Sequence, residues 1–191
     1  MTAEQRTDRE ARRDQAYMCI IDLVREAGEI DDLTLMEQCK TQFPDSGWWA
    51  TTYSGFAAHL RWRGLLEGRE VGGRSFLKLR LRSPEKVREL LPQAKAFLLQ
   101  LCGTVDAPGL SERDVLAQTG ETLQQSGEKA EVIEDATNWA LFSLIIVQKK
   151  LQRAYFFKGE ATGCRIFARP AEQEQTKQQL DWTIPLDAEL K

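Results

Sequence analysis

Apolar positions recur along the chain in two different periods, and the change from one to the other marks out its elements. Tyr17, Ile20, Ile21 and Val24 fall at helical spacing with Gly28 behind them as a C-cap, which predicts a first helix from about Asp8 to Ala27. Leu33, Met36 and Cys39 predict a shorter second helix after the acidic start EIDD, and FPDSG breaks the chain. Tyr53, Phe56, Ala57, Leu60 and Gly64 share one face of a third helix over about Trp48 to Arg63, stopped at Gly64. In GREVGGRSFLKLRL the pattern turns to strict alternation: Leu77, Leu79 and Leu81 point one way, Lys78, Arg80 and Arg82 the other. With the tight-turn dipeptide Gly72-Gly73 this predicts a hairpin.

The second half reads as a repeat of the same plan. Ser83 suits an N-cap and Pro84 the first helical position, while Pro92 is expected to break or kink the helix beyond it. Ala94, Phe97, Leu98 and Leu101 carry the next helix. SERDVLAQTG then places Ser111 and Asp114 at capping-box spacing with Gly120 as a stop. After the polar ETLQQSGEK, a long helix is expected from about Ala130 to Arg153, followed by two strands in AYFFKGEATGCRIFARP around Gly159 to Gly163. An offset of 86 residues sets Phe142 on Phe56, Ile146 on Leu60 and Leu151 on Leu65, and a four-residue insertion brings Ile166 onto Phe76. The expected fold is mainly α with small β wings (α+β), as modules at 1–82 and 83–169. A polar tail follows at 170–191, in which Trp182, Ile184 and Leu186 either dock back on the body or form a linear motif.

The stretch FAAHLRWRGLLEGREVGGRSFLKL resembles the winged helix-turn-helix fold: the last turn of its recognition helix, a Gly-Leu exit and a wing. The resemblance spans residues 15–82 and implies three helices with a two-stranded wing, here in a tandem pair. It implies a fold and not a function, because the family includes DNA readers, RNA readers and pure interaction modules.

Composition narrows the class. The 191 residues are 42% hydrophobic and 29% charged, as in ordinary soluble proteins, and no apolar run has the length of about 20 residues that spans a bilayer. The polar, acidic start is unlike a signal or transit peptide, so a cytoplasmic location is expected, nucleoid-associated if the source is bacterial. Cys19, Cys39, Cys102 and Cys164 are too far apart in sequence for a zinc or redox CxxC motif and read as reduced, buried side chains. His59 is the sole histidine. No phosphate-binding, nucleophile-elbow or zinc-protease motif is present, so the expectation is a chain without catalysis, metal, cofactor or small-molecule substrate.

The net charge of −3 conceals segregation. Residues 61–88 hold nine cations against Glu67, Glu70 and Glu85, and residues 145–169 hold six against Glu160. A row of cations on a projecting hairpin can neutralise phosphates and release counterions, so double-stranded DNA is the expected partner, gripped by Arg61, Arg63, Arg74, Lys78, Arg80 and Arg82. Thr51, Thr52, Ser54 and His59 are candidates for closer contacts from the third helix. That helix lacks the Arg, Asn and Gln set that reads bases directly, and Trp48 and Trp62 suit a protein interface. In the second module Leu141, Leu144, Ile145 and Val147 belong to a helix apolar on every side, expected to be buried between modules or against a second copy in a homodimer. The leading expectation is a DNA-binding protein of transcription or of mobile-element replication and maintenance. The alternatives are a protein-interaction scaffold subunit and a viral or plasmid inhibitor of a host complex.

Overall fold

In the computed structural model, helices and short antiparallel strands alternate in one order, used twice. Residues 3–43, 49–102, 110–158 and 161–169 are described, together with their side chains outside 3–10, 49–52 and 154–164. The order is α1 (Ala3–Ala27), β1 (Glu29–Asp31), α2 (Asp32–Gln42), α3 (Trp49–Trp62), β2 (Leu66–Val71), β3 (Arg74–Leu79), α4 (Pro84–Cys102), β4 (Leu110–Ser111), α5 (Glu112–Leu123), α6 (Ala130–Phe142), β5 (Leu151–Lys158) and β6 (Ala161–Ala168). The chain is mainly helical with small antiparallel sheets, of the α+β class. It divides into two compact units, Met1–Arg80 and Leu81–Lys191. No described helix is long and apolar enough to cross a membrane. Trp48, the FPDSG break after Phe43, the turn at Gly159 and the tail from Pro170 lie outside the described residues.

In the first unit α1 begins earlier than its apolar pattern suggests, and it buries Ala16, Tyr17, Ile20, Ile21 and Val24. It ends where Gly28 takes φ +71°, a conformation that costs glycine little. EIDD does not open a helix directly. Glu29–Asp31 is first a strand paired with β3, and only then does the Asp31 carboxylate accept the Thr34 N–H (3.1 Å) and start α2. This cap sets the helix phase so that Leu35 and Cys39, four residues apart, enter the core. Leu33, expected there, is 65% exposed.

Helix α3 buries Tyr53, Phe56, Ala57 and Leu60 and stops at Gly64 (φ +69°), where the Leu65 N–H bonds back to the Leu60 carbonyl in a Schellman closure. Gly72 and Gly73, both at positive φ, join β2 to β3 in the primed turn that their dipeptide predicts. The expected two-stranded hairpin is three-stranded, in the order β1-β3-β2, so the lysine and arginine strand β3 lies in the middle. Its inner face carries Leu77 and Leu79 beside Ile30 and Leu66.

The second unit repeats this order, with sheet β4-β6-β5. Ser111 stands where Asp31 does, accepting the Asp114 N–H (3.1 Å). Val115 and Thr119 are buried like Leu35 and Cys39, and Phe142, Ile146 and Leu151 are buried like Phe56, Leu60 and Leu65. The pairing Leu110↔Ile166 matches Ile30↔Leu77, so Ile166 is the counterpart of Leu77 and not of Phe76.

Three expectations about this unit are overturned. Helix α4 is not broken at the exposed Pro92 but runs through it to Cys102, and α5 runs through Gly120 to Leu123, closing after a single 3-10 turn at Gly127 (φ +75°). The long helix does not reach Arg153: α6 ends at Phe142, and Ser143–Val147 widens into a π turn, with the Gln148 N–H on the Ser143 carbonyl (2.8 Å). The wider turn accommodates one extra residue, and Ser143, Leu144, Ile145 and Ile146 all stay buried in it. The chain then reverses at Lys149, held at φ +56° without a glycine.

Candidate functional site

Helix α3 is the only α-helix among the described residues without an aspartate or glutamate. Its inner face supplies the core, which leaves Ser54, Gly55, Ala58, Arg61 and Trp62 exposed on the outer one. The outer surface is shallow: a Cβ built on Gly55 would meet nothing within 4 Å. Thr51 and Thr52 lie in the first turn of α3, and their side chains are outside the described set.

The C-terminal end of α3 is built as a stack. Tyr17 Oη lies 2.6 Å from His59 Nδ1, and Arg63 Nε donates to His59 Nε2 (3.1 Å). Because a guanidinium can only donate, Nε2 accepts and the ring proton belongs on Nδ1, donated to the tyrosine oxygen. Trp62 stacks on that imidazole at 5.8 Å and 25°, with the Arg63 guanidinium 5.0 Å from the indole ring. Trp62 is 71% exposed. His59 is therefore half-buried and internally bonded, not the outward contact expected of it, because the Tyr17 hydroxyl on α1 draws the ring inward.

Arg61 reaches from α3 onto β2. Its guanidinium occupies the space over Gly68, where a Cβ would stand 2.8 Å from Cζ. Among the described residues Arg61 makes no ion pair.

The outer face of the first sheet is a charge lattice. Register sets Lys78 between Glu67 on one side and Glu29 on the other, and Phe76 between Arg69 and Asp31. Arg69 grips Glu29 through both carboxylate oxygens, with Nε to Oε1 at 2.6 Å. Arg74 reaches Asp31 at 2.9 and 3.1 Å, and Lys78 lies 3.8 Å from Glu67. Both guanidinium groups lie against the Phe76 ring, at 5.7 and 5.9 Å. The hydrogen bond from Arg69 holds the Glu29 carboxyl below its usual range, and that from Arg74 does the same to Asp31. Three cations thus meet three carboxylates.

The expected row of outward cations is corrected by this arrangement. Strand β3 ends at Leu79, so Arg80 and Arg82 do not continue its face. The Arg80 N–H closes on the Leu65 carbonyl (3.0 Å). Arg82 belongs to the second unit: its N–H donates to the buried Asp135 (3.1 Å), and its guanidinium lies 3.5–3.7 Å from Glu131, Glu134 and Asp135. For Arg69, Arg74, Lys78 and Arg82 the segregation along the chain is offset in space, because β1 carries acids to the hairpin and α6 carries them to Arg82.

Leu141, Leu144 and Ile145 are at most 5% exposed and Val147 is half-buried. The first three are already covered by the chain itself, which removes them as a contact for a second copy. Among the described residues no group of three His, Cys, Asp or Glu side chains is placed to hold a metal. The residues that sequence reading missed are Glu29, Asp31, Arg69 and Gly68. Only the alternation of acids around Ile30 hinted at them, in a run too short to read as a strand. Comparison with protein-family models, curated proteins and solved structures found no match.

Proposed function

We propose that the protein is a non-catalytic DNA-binding protein of tandem winged-helix architecture, which presents α3 of its first unit to a duplex. What supports the architecture is that each unit has the order helix, strand, helix, helix, strand, strand, with the first strand beside the third, the order expected of a winged helix. The observation that carries the function is the acid-free outer face of α3. A helix approaching phosphates is repelled by its own carboxylates, and among the described residues this is the one α-helix that has none. Ser54, Gly55 and Ala58 let its backbone come close, the hydroxyls of Thr51, Thr52 and Ser54 are donors, and Arg61 and Arg63 flank the approach. The hairpin, balanced in charge, orients the duplex without adding much grip. The setting is cytoplasmic, in transcription or in replication and maintenance of a mobile element.

A second reading, a module that binds a protein partner, is favoured by Trp62, an open indole held firm from beneath by His59. Fluorescence anisotropy with a random duplex at several salt concentrations separates the two. The DNA reading expects binding with a log K against log salt slope of about −2 to −4, equivalent to roughly two to four phosphates, weakened severalfold or more by Arg61→Glu. No binding at the lowest salt would leave the protein-partner reading standing.

A further inference from the structure

Two thiols of the first unit face one another inside it. Cys19 on α1 and Cys39 in the last turn of α2 bring their Sγ atoms to 3.8 Å, and Cys19 Sγ also lies 3.1 Å from Gln42 Oε1. Both residues are buried, Cys39 fully and Cys19 with 7% of its surface exposed, so Cys19 is the less enclosed of the two. The two thiols are also unequal in acidity. The hydrogen bond between the two thiols pulls Cys19 below the usual thiol range, and the same bond together with burial pushes Cys39 up. Cys102 shows what burial without a thiol neighbour does: it is pushed up to about 11. Two thiols in contact, one of them more acidic and less enclosed than the other, make the pairing of a nucleophile with a resolving cysteine.

We infer that Cys19 and Cys39 are a modification site for hydrogen peroxide, oxidised to an intramolecular disulfide that ties the end of α2 to α1. The Cys19 thiolate attacks one peroxide oxygen; the S–O bond forms as the O–O bond breaks, and hydroxide leaves. The Cys39 sulfur then displaces the oxygen from the Cys19 sulfenic acid. The S–S bond forms, the S–O bond breaks, and the Cys39 proton leaves with the oxygen as water. Two thiols lose two electrons in total, and peroxide is reduced to two waters. The sulfurs must close from 3.8 Å to a bond of about 2.05 Å, which side-chain rotation with a small approach of the helices supplies. The bridge would fasten the turn from which the chain departs toward α3. It does not depend on what α3 binds.

The test exposes the reduced full-length chain to a few equivalents of hydrogen peroxide. Remaining thiols are then blocked with N-ethylmaleimide in denaturant, and the protein is digested and mapped by mass spectrometry. The expected product is a Cys19–Cys39 linked peptide, with Cys102 and Cys164 recovered alkylated. Cys39→Ser should stop at a sulfenic acid on Cys19, captured by dimedone. The inference fails if Cys19 and Cys39 are both recovered alkylated under conditions that oxidise free glutathione. It also fails if links to Cys102 or Cys164 form as readily. The wild-type map decides the matter even if Cys39→Ser does not fold.

Discussion

Two residues in unusual surroundings allow sharp tests. Gly68 is an ordinary strand residue in its backbone, and its missing side chain is what lets Arg61 lie flat on β2. Gly68→Ala should displace the flexible guanidinium while changing stability by less than about 1 kcal/mol, since alanine suits the backbone at least as well. On the proposed DNA reading, duplex affinity should fall nearly as far as in Arg61→Ala, with an unchanged circular dichroism spectrum; an unaltered affinity would show that the position of Arg61 is immaterial. Lys149 holds φ +56° where the first unit uses Gly64. Lys149→Gly should therefore raise stability by about 0.5–1 kcal/mol, the relief of left-handed strain less the chain entropy of glycine, read from a urea denaturation midpoint.

Among elements, the residue that caps α2 has more than one function and the residue that caps α5 has one. Ser111 caps α5 alone, so Ser111→Ala should cost about 1 kcal/mol. Asp31 caps α2 and also holds Arg74, and Asp31→Ala should cost more than that by thermal denaturation. The pH dependence arises from the same contacts. Glu29 and Asp31 are held below their unfolded values, so the folded state binds fewer protons. Their stabilisation is present above about pH 4 and is lost as the pH falls through the folded values. Asp22, pushed up by burial, acts in the opposite sense. The double variant Glu29→Gln with Asp31→Asn should show a flatter decline in melting temperature from about pH 5 to 3 than the wild type. Helix faces, the Gly72-Gly73 turn and the Ser111 cap were legible in the sequence because each is decided within a few neighbouring residues. Strands β1 and β4 were not, since three and two residues carry no period. The π turn escaped as well, because an all-apolar run such as Ser143–Val147 does not say where its helix ends.

At the scale of the whole molecule, charge was the property least readable from the chain. The contacts that neutralise the hairpin and Arg82 span 40 residues (Glu29 to Arg69), 43 (Asp31 to Arg74) and 53 (Arg82 to Asp135). No local window joins such partners; the fold does. For the same reason the proposed DNA reading expects Lys78→Ala to weaken duplex binding less than Arg61→Ala, since Lys78 is already shared between two carboxylates in register.

The two units also differ in how much of their third helix is committed to holding them together. In α6 and the turn after it, every position from Asp135 to Ile146 except Asn138 is buried, whereas α3 leaves half of its circumference open. A library of single substitutions would sort accordingly. In the second unit, damage along this helix would register as lost solubility or faster proteolysis. In the first, the outward positions would accept replacements with the protein intact and only its associations altered. The chain thus holds one unit whose helix is free to diversify and another whose helix is held by its own packing.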